Sequence, residues 1–353
     1  MQHTRVFLAL FLGTALLATR RAPAAPPETP SAASPSVTVT ARFPVGGEGG
    51  WDYLTVEPAS RRIFISRGTH VMVLDADSGK VVGDIPGTEG VHGIALAPDL
   101  KKGFTSNGRA GTVTVFALPT LAVTGTWKTT GENPDAILYE PVSKRLFTFN
   151  GRGKNATVFD AVSGAVAGTI PMGGKPEFAV SDPSGRVFVN VEDTAEILAI
   201  DPASASVKAR WSIAPCQDPT GLAIDGKAGL LFAGCGNKIL AVVRTSDGKV
   251  LGTPSIGEGC DGVAFDPSNG LVFAANGEGT VTVLKETAPG MWAAIQTVPT
   301  QRSARTIAVD EKVHRLYLPT AKFGPPPSPT AETARPRPPA VPGSFELLVV
   351  GPH

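Results

Sequence analysis

Seven stretches of this 353-residue chain repeat one pattern at nearly constant spacing. They are WDYLTVEPASRRIFIS (51–66), VHGIALAPDLKKGFTS (91–106), PDAILYEPVSKRLFTF (134–149), PEFAVSDPSGRVFVN (176–190), PTGLAIDGKAGLLFAG (219–234), CDGVAFDPSNGLVFAA (260–275) and ARTIAVDEKVHRLYLP (304–319). Each copy is a pair of short apolar runs split by a turn. Anchored on the residue before that turn (Glu57, Ala97, Glu140, Asp182, Asp225, Asp266 and Asp310), the copies step by 40, 43, 42, 43, 41 and 44 residues. A period near 42 made of short strands predicts the blades of a propeller.

Two more alternating runs follow each pair, such as TVTVFAL (112–118) or ATVFDA (156–161), then SGKVVGDIP (78–86) or SGAVAGTIP (163–171). Alternation of period two with turn residues between the runs is the hairpin signature. The predicted fold is therefore all-β: a seven-bladed β-propeller of four-stranded blades, strands A to D, with A innermost. Forty glycines and 32 prolines argue against a helical bundle. The ends complete the count. Val37 to Val45 reads as a strand before the first A strand, and Phe345 to Val350 as one after the last B strand. Blade 7 then takes A, B and C from the C-terminal part and D from the N-terminal strand, which closes the ring and hides its sheet edges. One propeller domain is expected over residues 37–350, as a monomer. The aromatic recurring in strand B (Phe64, Phe104, Phe147, Phe188, Phe232, Phe273 and Tyr317) suits packing between blades better than a stacking platform for bases or sugars.

Ahead of the repeats, His3 and Arg5 precede a thirteen-residue apolar run, Val6 to Ala18, and Ala22-Pro23-Ala24 offers small residues for cleavage. Residues 1–24 thus read as a signal peptide, with a retained anchor as the competing reading, and 25–36 as a disordered Pro/Ala/Ser leader. A periplasmic or extracellular location follows, with no transmembrane segment in the mature chain. The full chain carries +1; without Arg5, Arg20 and Arg21 it has 29 basic against 31 acidic residues. That balance holds no polyanion at physiological salt, so nucleic acid is not an expected partner. Of three cysteines in an exported chain, two should pair. Cys216 and Cys235 fall on one face of blade 5, where a disulfide would brace it; Cys260, at the next D–A connection, is the competitor.

In such a ring the D–A and B–C connections share one face, and strand A starts there beside the central channel. The residues at that repeat position are Asp52, His92, Asp135, Glu177, Thr220, Asp261 and Arg305. Six of the seven are ionisable where small or apolar residues are expected. The B–C loops add Asn107 and Arg109, Asn150 and Arg152, Asn190 and Glu192, Cys235 and Asn237, and Asn276 and Glu278. Turn geometry alone accounts for Asn-Gly pairs; it does not account for the charged residues beyond them. This face is the predicted site for a small ligand, a divalent metal ion or a protein partner. His92, Asp135 and Glu177 are the candidate metal ligands, oxygen donors suiting calcium or magnesium and the imidazole widening the choice to zinc or copper. The plainer alternative is a charge-balanced, solvated pore in which Arg109, Arg152 and Arg305 pair with the carboxylates.

No GxSxG elbow, Ser-His-Asp set, zinc motif or dinucleotide fingerprint occurs. Asp75-Ala76-Asp77-Ser78-Gly79 has part of a calcium-loop pattern but lacks the bidentate glutamate and falls at a C–D turn. Thr320 to Ser344, between strands B and C of blade 7, contains eight prolines in 25 residues. It favours extended polyproline structure, placed either over the channel mouth or free in solvent.

With the blades aligned, GENPDAILYEPVSKRLFTFNGR (131–152) and GGKPEFAVSDPSGRVFVN (173–190) resemble the YVTN-repeat propellers of the YncE-like family. Phenylalanine replaces the motif's tyrosine in six of seven blades. The resemblance covers residues 37–350. It implies an exported propeller of poorly defined role, some members of the family binding nucleic acid, which the near-neutral charge argues against here; relatives of that fold include quinoprotein subunits, haem d1 domains and metal-dependent lactonases. A metal-dependent hydrolase, lactonase or lyase using His92 and the funnel carboxylates is the alternative it raises, and a protein-interaction scaffold a third. No haem-ligand cluster is present, and the fold alone selects none of these activities.

Overall fold

Six repeats each fold as a four-stranded antiparallel sheet in simple sequential order, and a seventh four-stranded sheet completes the set among the described residues. The computed structural model describes residues 1–4, 36–328 and 338–352. The expected leader and the tip of the proline-rich insertion, including residues 5–35 and 329–337, lie outside the described residues. Blade 3 is representative: Pro134–Glu140, Arg145–Asn150, Asn155–Asp160 and Val166–Pro171, each paired with the next. The seven A strands neighbour one another in a closed cycle, from Leu54–Glu57 of blade 1 to Ala308–Asp310 of blade 7 and back. No described helix is long and apolar enough to cross a membrane.

Blade 7 is assembled from both ends of the repeat array. Its strands are Ala308–Asp310, Arg315–Thr320, Glu346–Pro352 and Val37–Pro44, with Val37 opposite Pro352 and Pro44 opposite Glu346. The Gln296 side chain of blade 6 clamps the outer strand by accepting from Val37 N at 3.1 Å and donating to Val37 O at 2.7 Å. Closure by hydrogen bonds gives the outer strand a partner that an open ring would lack.

Strands B and C are buried along nearly their whole length, whereas D strands alternate exposed and half-buried residues. The recurring strand-B aromatics are all buried at 4% exposure or less. Phe64 stacks on Phe116 of the next blade at 5.9 Å, and Phe232 on Phe265 of the next at 5.5 Å. They are blade packing and present no platform to a ligand. The basic residue two places earlier extends the same joint. Arg62 lies over Phe64 and donates to Leu118 O at 2.9 Å; Arg186 lies over Phe188 and donates to Thr245 O at 3.3 Å. Each ties its blade to the following C–D turn.

The acidic anchors close the A–B turns. Asp182 accepts from Ser184 N, Arg186 N and the Arg186 side chain at 2.8–3.0 Å, and Glu140 accepts from Val142 N and Ser143 N at 2.7 Å. A buried carboxylate that collects backbone N–H groups fixes a turn where solvent would otherwise compete. The fragment at Asp75 behaves alike: it accepts from Ser78 N and Oγ, and Asp77 pairs with Arg61 at 2.6 Å, so both carboxylates serve the protein's own turn.

Candidate functional site

Strand A enters from the mouth of the channel, and the second residue of each repeat stands there. Neighbouring blades therefore bring neighbouring members of that set together. Nδ1 of His92 lies 2.7 Å from Oδ2 of Asp52 and 3.6 Å from Oδ1 of Asp135. All three side chains are half-buried, and one donor atom from each lies within 4.8 Å of the others. Burial works against charge on His92, but the Asp52 bond and the fields of Asp135, Asp52 and Glu177 outweigh it, and the imidazole pKa is raised. Burial raises the Asp135 carboxyl, with His92 opposing and Asp52 adding to the shift.

The arc continues on both sides. Arg305 binds Asp261 and lies 3.9 Å from Asp52. In blade 4, Lys175 Nζ sits 2.5 Å from Glu177 and also bonds Glu192. Burial and the nearby Asp135 push Glu177 up to about 8, although Lys175 pulls the other way. For Lys175, the bonds to Glu177 and Glu192 overcome burial and raise its pKa. Glu177 is thus committed to Lys175, and the metal set expected from sequence does not close: Asp52 joins His92 and Asp135 in its place. Thr220 donates to Cys260 O at 2.8 Å and links blades 5 and 6.

One residue deeper, the funnel has a floor that the sequence reading missed. The third repeat position is Gly, Ala or Thr in five blades, where the next A strand packs close: a Cβ on Gly221 would come within 2.7 Å of Val263 N. The exceptions are Tyr53 and Phe178, whose rings meet at 5.2 Å. Burial, then Asp135, Asp52 and Glu177, raise the Tyr53 phenol pKa. At the mouth opens a funnel of about 680 Å³ lined by Trp51, Asp52, His92, Arg109, Arg152 and Arg305, among others.

The B–C loops require a correction. Asn107, Asn150, Asn190 and Asn276 end or nearly end strand B and are fully buried. Asn107 donates to Thr112 and Thr114 Oγ1, Asn150 to Asn155 Oδ1 and Thr157 Oγ1, and Asn276 to Thr280 and Thr282 Oγ1. Asn190 donates to the Thr220 and Gly221 carbonyls. Asn190, one residue earlier in the pattern, ties blade 4 to blade 5, while Asn107, Asn150 and Asn276 share one repeat position and staple their own blades; all four are turned inward instead of facing a ligand. The same repeat position holds Arg67, Cys235 and Thr320, also buried and also engaged in holding loops. Two residues further on, the side chains do reach the mouth. Arg109 and Arg152 are exposed and line the funnel, while half-buried Glu192 joins Lys175. Exposed Asn237 instead bridges Gln217 N and Pro215 O.

Cys216 and Cys235 form a disulfide, and Cys260 is a buried thiol whose pKa burial pushes up to about 12. The described base of the insertion reaches the mouth. Phe323 bridges Ala340, and Trp51 packs between Phe323 at 6.0 Å and Phe345 at 5.3 Å. These rings, with Asp261, Arg305 and Lys322, line a cleft of about 1480 Å³. That cleft shares Gly50, Trp51 and Arg305 with the funnel. Neither Trp51 nor Lys175 stands at the repeat position that drew attention to the ring, so position-by-position reading passed over both.

Among solved structures, the chain resembles one from Kuenenia stuttgartiensis hydrazine synthase, with a TM-score of 0.65, 17% identity, and coverage of 78% of this chain and 93% of that one. Identity at that level shows the shared propeller fold alone. No protein-family model and no curated protein sequence matches the chain.

Proposed function

We propose that the chain is an exported binding protein of the YVTN-repeat type that takes a small cationic ligand into its funnel, without chemistry of its own. One observation carries this reading: the channel is barred by Tyr53 and Phe178, and the buried and half-buried groups of the strand-A ring are mostly acidic, while the exposed Arg109 and Arg152 stand further out at the mouth. Asp52, Asp135, Glu177, Glu192 and Asp261 face Lys175, Arg305 and the imidazole of His92. Low-dielectric walls around an excess of one sign concentrate the opposite charge. Export is supported by the apolar run Val6–Ala18 and by the Cys216–Cys235 bond, which belongs to an oxidising compartment.

The test is equilibrium binding with matched probes: Co²⁺ and 1,4-diaminobutane as cations, and succinate as the dianion of equal chain length. Saturable binding of either cation at one site, weakened by Asp135→Asn and absent for succinate, is the expected result. Succinate binding in preference to both cations, or no binding of any probe, would reject the reading.

A further inference from the structure

We infer that the ligand is a divalent transition-metal ion held by Asp52, His92 and Asp135, an assignment that rests on the cation-binding reading above. Three successive blades supply the three residues from the same repeat position, so the ring itself sets their spacing. Ligands of a first-row metal sit about 2.0–2.2 Å from the ion. Donors already within 4.8 Å of one another need only small shifts to close on it, the 2.7 Å contact of His92 with Asp52 opening to admit the ion. Among the described residues, no other three His, Cys or carboxylate side chains come this close.

The orientation of His92 fits the role. Its Nδ1 faces both carboxylates, where the ion would replace the proton that now bridges to Asp52. Its Nε2 is turned the other way, toward Gly108. A Cβ on Gly108 would lie 2.7 Å from that nitrogen and 2.8 Å from Asn133 Oδ1, so an amide oxygen stands on the same side as the ring's second nitrogen. A ligating histidine commonly turns its second N–H toward an oxygen in this way.

The donor set selects the class of ion. One imidazole nitrogen and two carboxylates suit manganese, iron, cobalt or zinc. Calcium asks for six to eight oxygens, which three residues do not provide. The neighbouring acids are taken: Glu177 by Lys175 and Asp261 by Arg305. Asp52 and His92 line one wall of the funnel, so an ion held there would be reached from its mouth.

Co²⁺ is the probe, because its visible d–d absorption reports nitrogen and oxygen ligation independently of any activity. The purified, metal-stripped protein should bind one equivalent with visible bands. His92→Gln and Asp52→Asn should each weaken binding by about 100-fold or more, beyond what loss of a supporting group costs. Glu177→Gln should stay within about threefold of the parent. Unchanged circular dichroism and thermal midpoints identify variants that remain folded. Saturable Co²⁺ binding that survives both ligand substitutions, or that Glu177→Gln weakens as much as they do, would show diffuse acidity and overturn the assignment. Absence of Co²⁺ binding overturns it as well; diaminobutane binding in the same protein would leave the cation-binding reading standing, and its absence would remove both.

Discussion

Tyr53 and Phe178 come from blades 1 and 4, which are not neighbours, and their rings meet at 5.2 Å with an interplanar angle of 58°. Two side chains so placed can touch only across the central axis. Tyr53 also packs against the core of blades 3 and 4. The pair therefore joins opposite sides of the ring and forms the floor of the funnel. Phe178→Ala should destabilise the protein by roughly 2–4 kcal/mol, somewhat below the range for a fully buried aromatic because Phe178 is half-buried. Tyr53→Phe keeps the ring and should cost far less. Urea midpoints of the two variants check the difference, and equal losses would mean that the phenol, not the ring contact, holds the floor.

The pH dependence of stability should carry the signature of Glu177. Burial and Asp135 raise its folded pKa from an ordinary 4.5 to about 8. Between those values the folded protein binds a proton that the unfolded chain has released. Its contribution is therefore fully present below pH 4.5 and is lost as pH rises through 8. Glu177→Gln is neutral throughout. It should match the parent near pH 4 and exceed it above pH 8 by on the order of 2 kcal/mol. Denaturation at pH 4, 6 and 8.5 measures this; a variant less stable than the parent at pH 8.5 would mean that the Lys175 pair outweighs the burial of charge.

Much of this architecture was legible because it follows from local rules repeated seven times. Period-two alternation sets the strands, turn chemistry sets their ends, and a spacing near 42 residues sets the blade. The closing strand Val37–Pro44 was legible because blade 7 lacked one. The meeting of Asp52, His92 and Asp135 was partly legible, since equal repeat positions in adjacent blades must lie close. Contacts that depend on ring diameter or side-chain direction were not. Nothing in the sequence tells that Tyr53 and Phe178 span the axis, or that Asn107 turns inward while Arg109, two residues on, reaches the mouth. Lys175 was missed because it lies just before strand A, outside the repeat position, yet it decides where Glu177 points.

Arg67 occupies the repeat position of the stapling asparagines but performs a larger task. Its guanidinium lies 3.6 Å from the Phe345 ring centroid and donates to the carbonyls of Gly46, Glu48 and Gly49 at 2.8–3.2 Å. Burial lowers its pKa to about 10. Gly49 fits beneath it only without a side chain: its φ is +90° and a Cβ would fall 2.4 Å from Arg67 O. A lysine cannot reproduce the planar fork. Arg67→Lys should therefore cost about 2–3 kcal/mol, the range for hydrogen bonds to a charged group, and loosen the loop at 46–50 beside Trp51. Denaturation together with limited proteolysis at that loop checks both effects.

Gly108 gives a way to move His92 without removing it. A methyl group there would meet Nε2 of His92 at 2.7 Å and Asn133 Oδ1 at 2.8 Å, contacts too short to persist. Both neighbours are side-chain ends, so the strain is relieved by turning the imidazole and the amide and leaves the backbone in place. Gly108→Ala should accordingly change global stability by no more than about 1 kcal/mol, in the range of substitutions outside a packed core. It should nevertheless break the 2.7 Å contact between Nδ1 and Asp52. That contact is the largest influence raising the His92 pKa against burial. Its loss should bring the pKa down, and Co²⁺ affinity should fall about tenfold or more, as for other disturbed supporting contacts. Imidazole proton shifts followed by NMR against pH measure the first effect directly. An unchanged His92 titration in the alanine variant would show that the ring is not positioned by the close approach of Gly108.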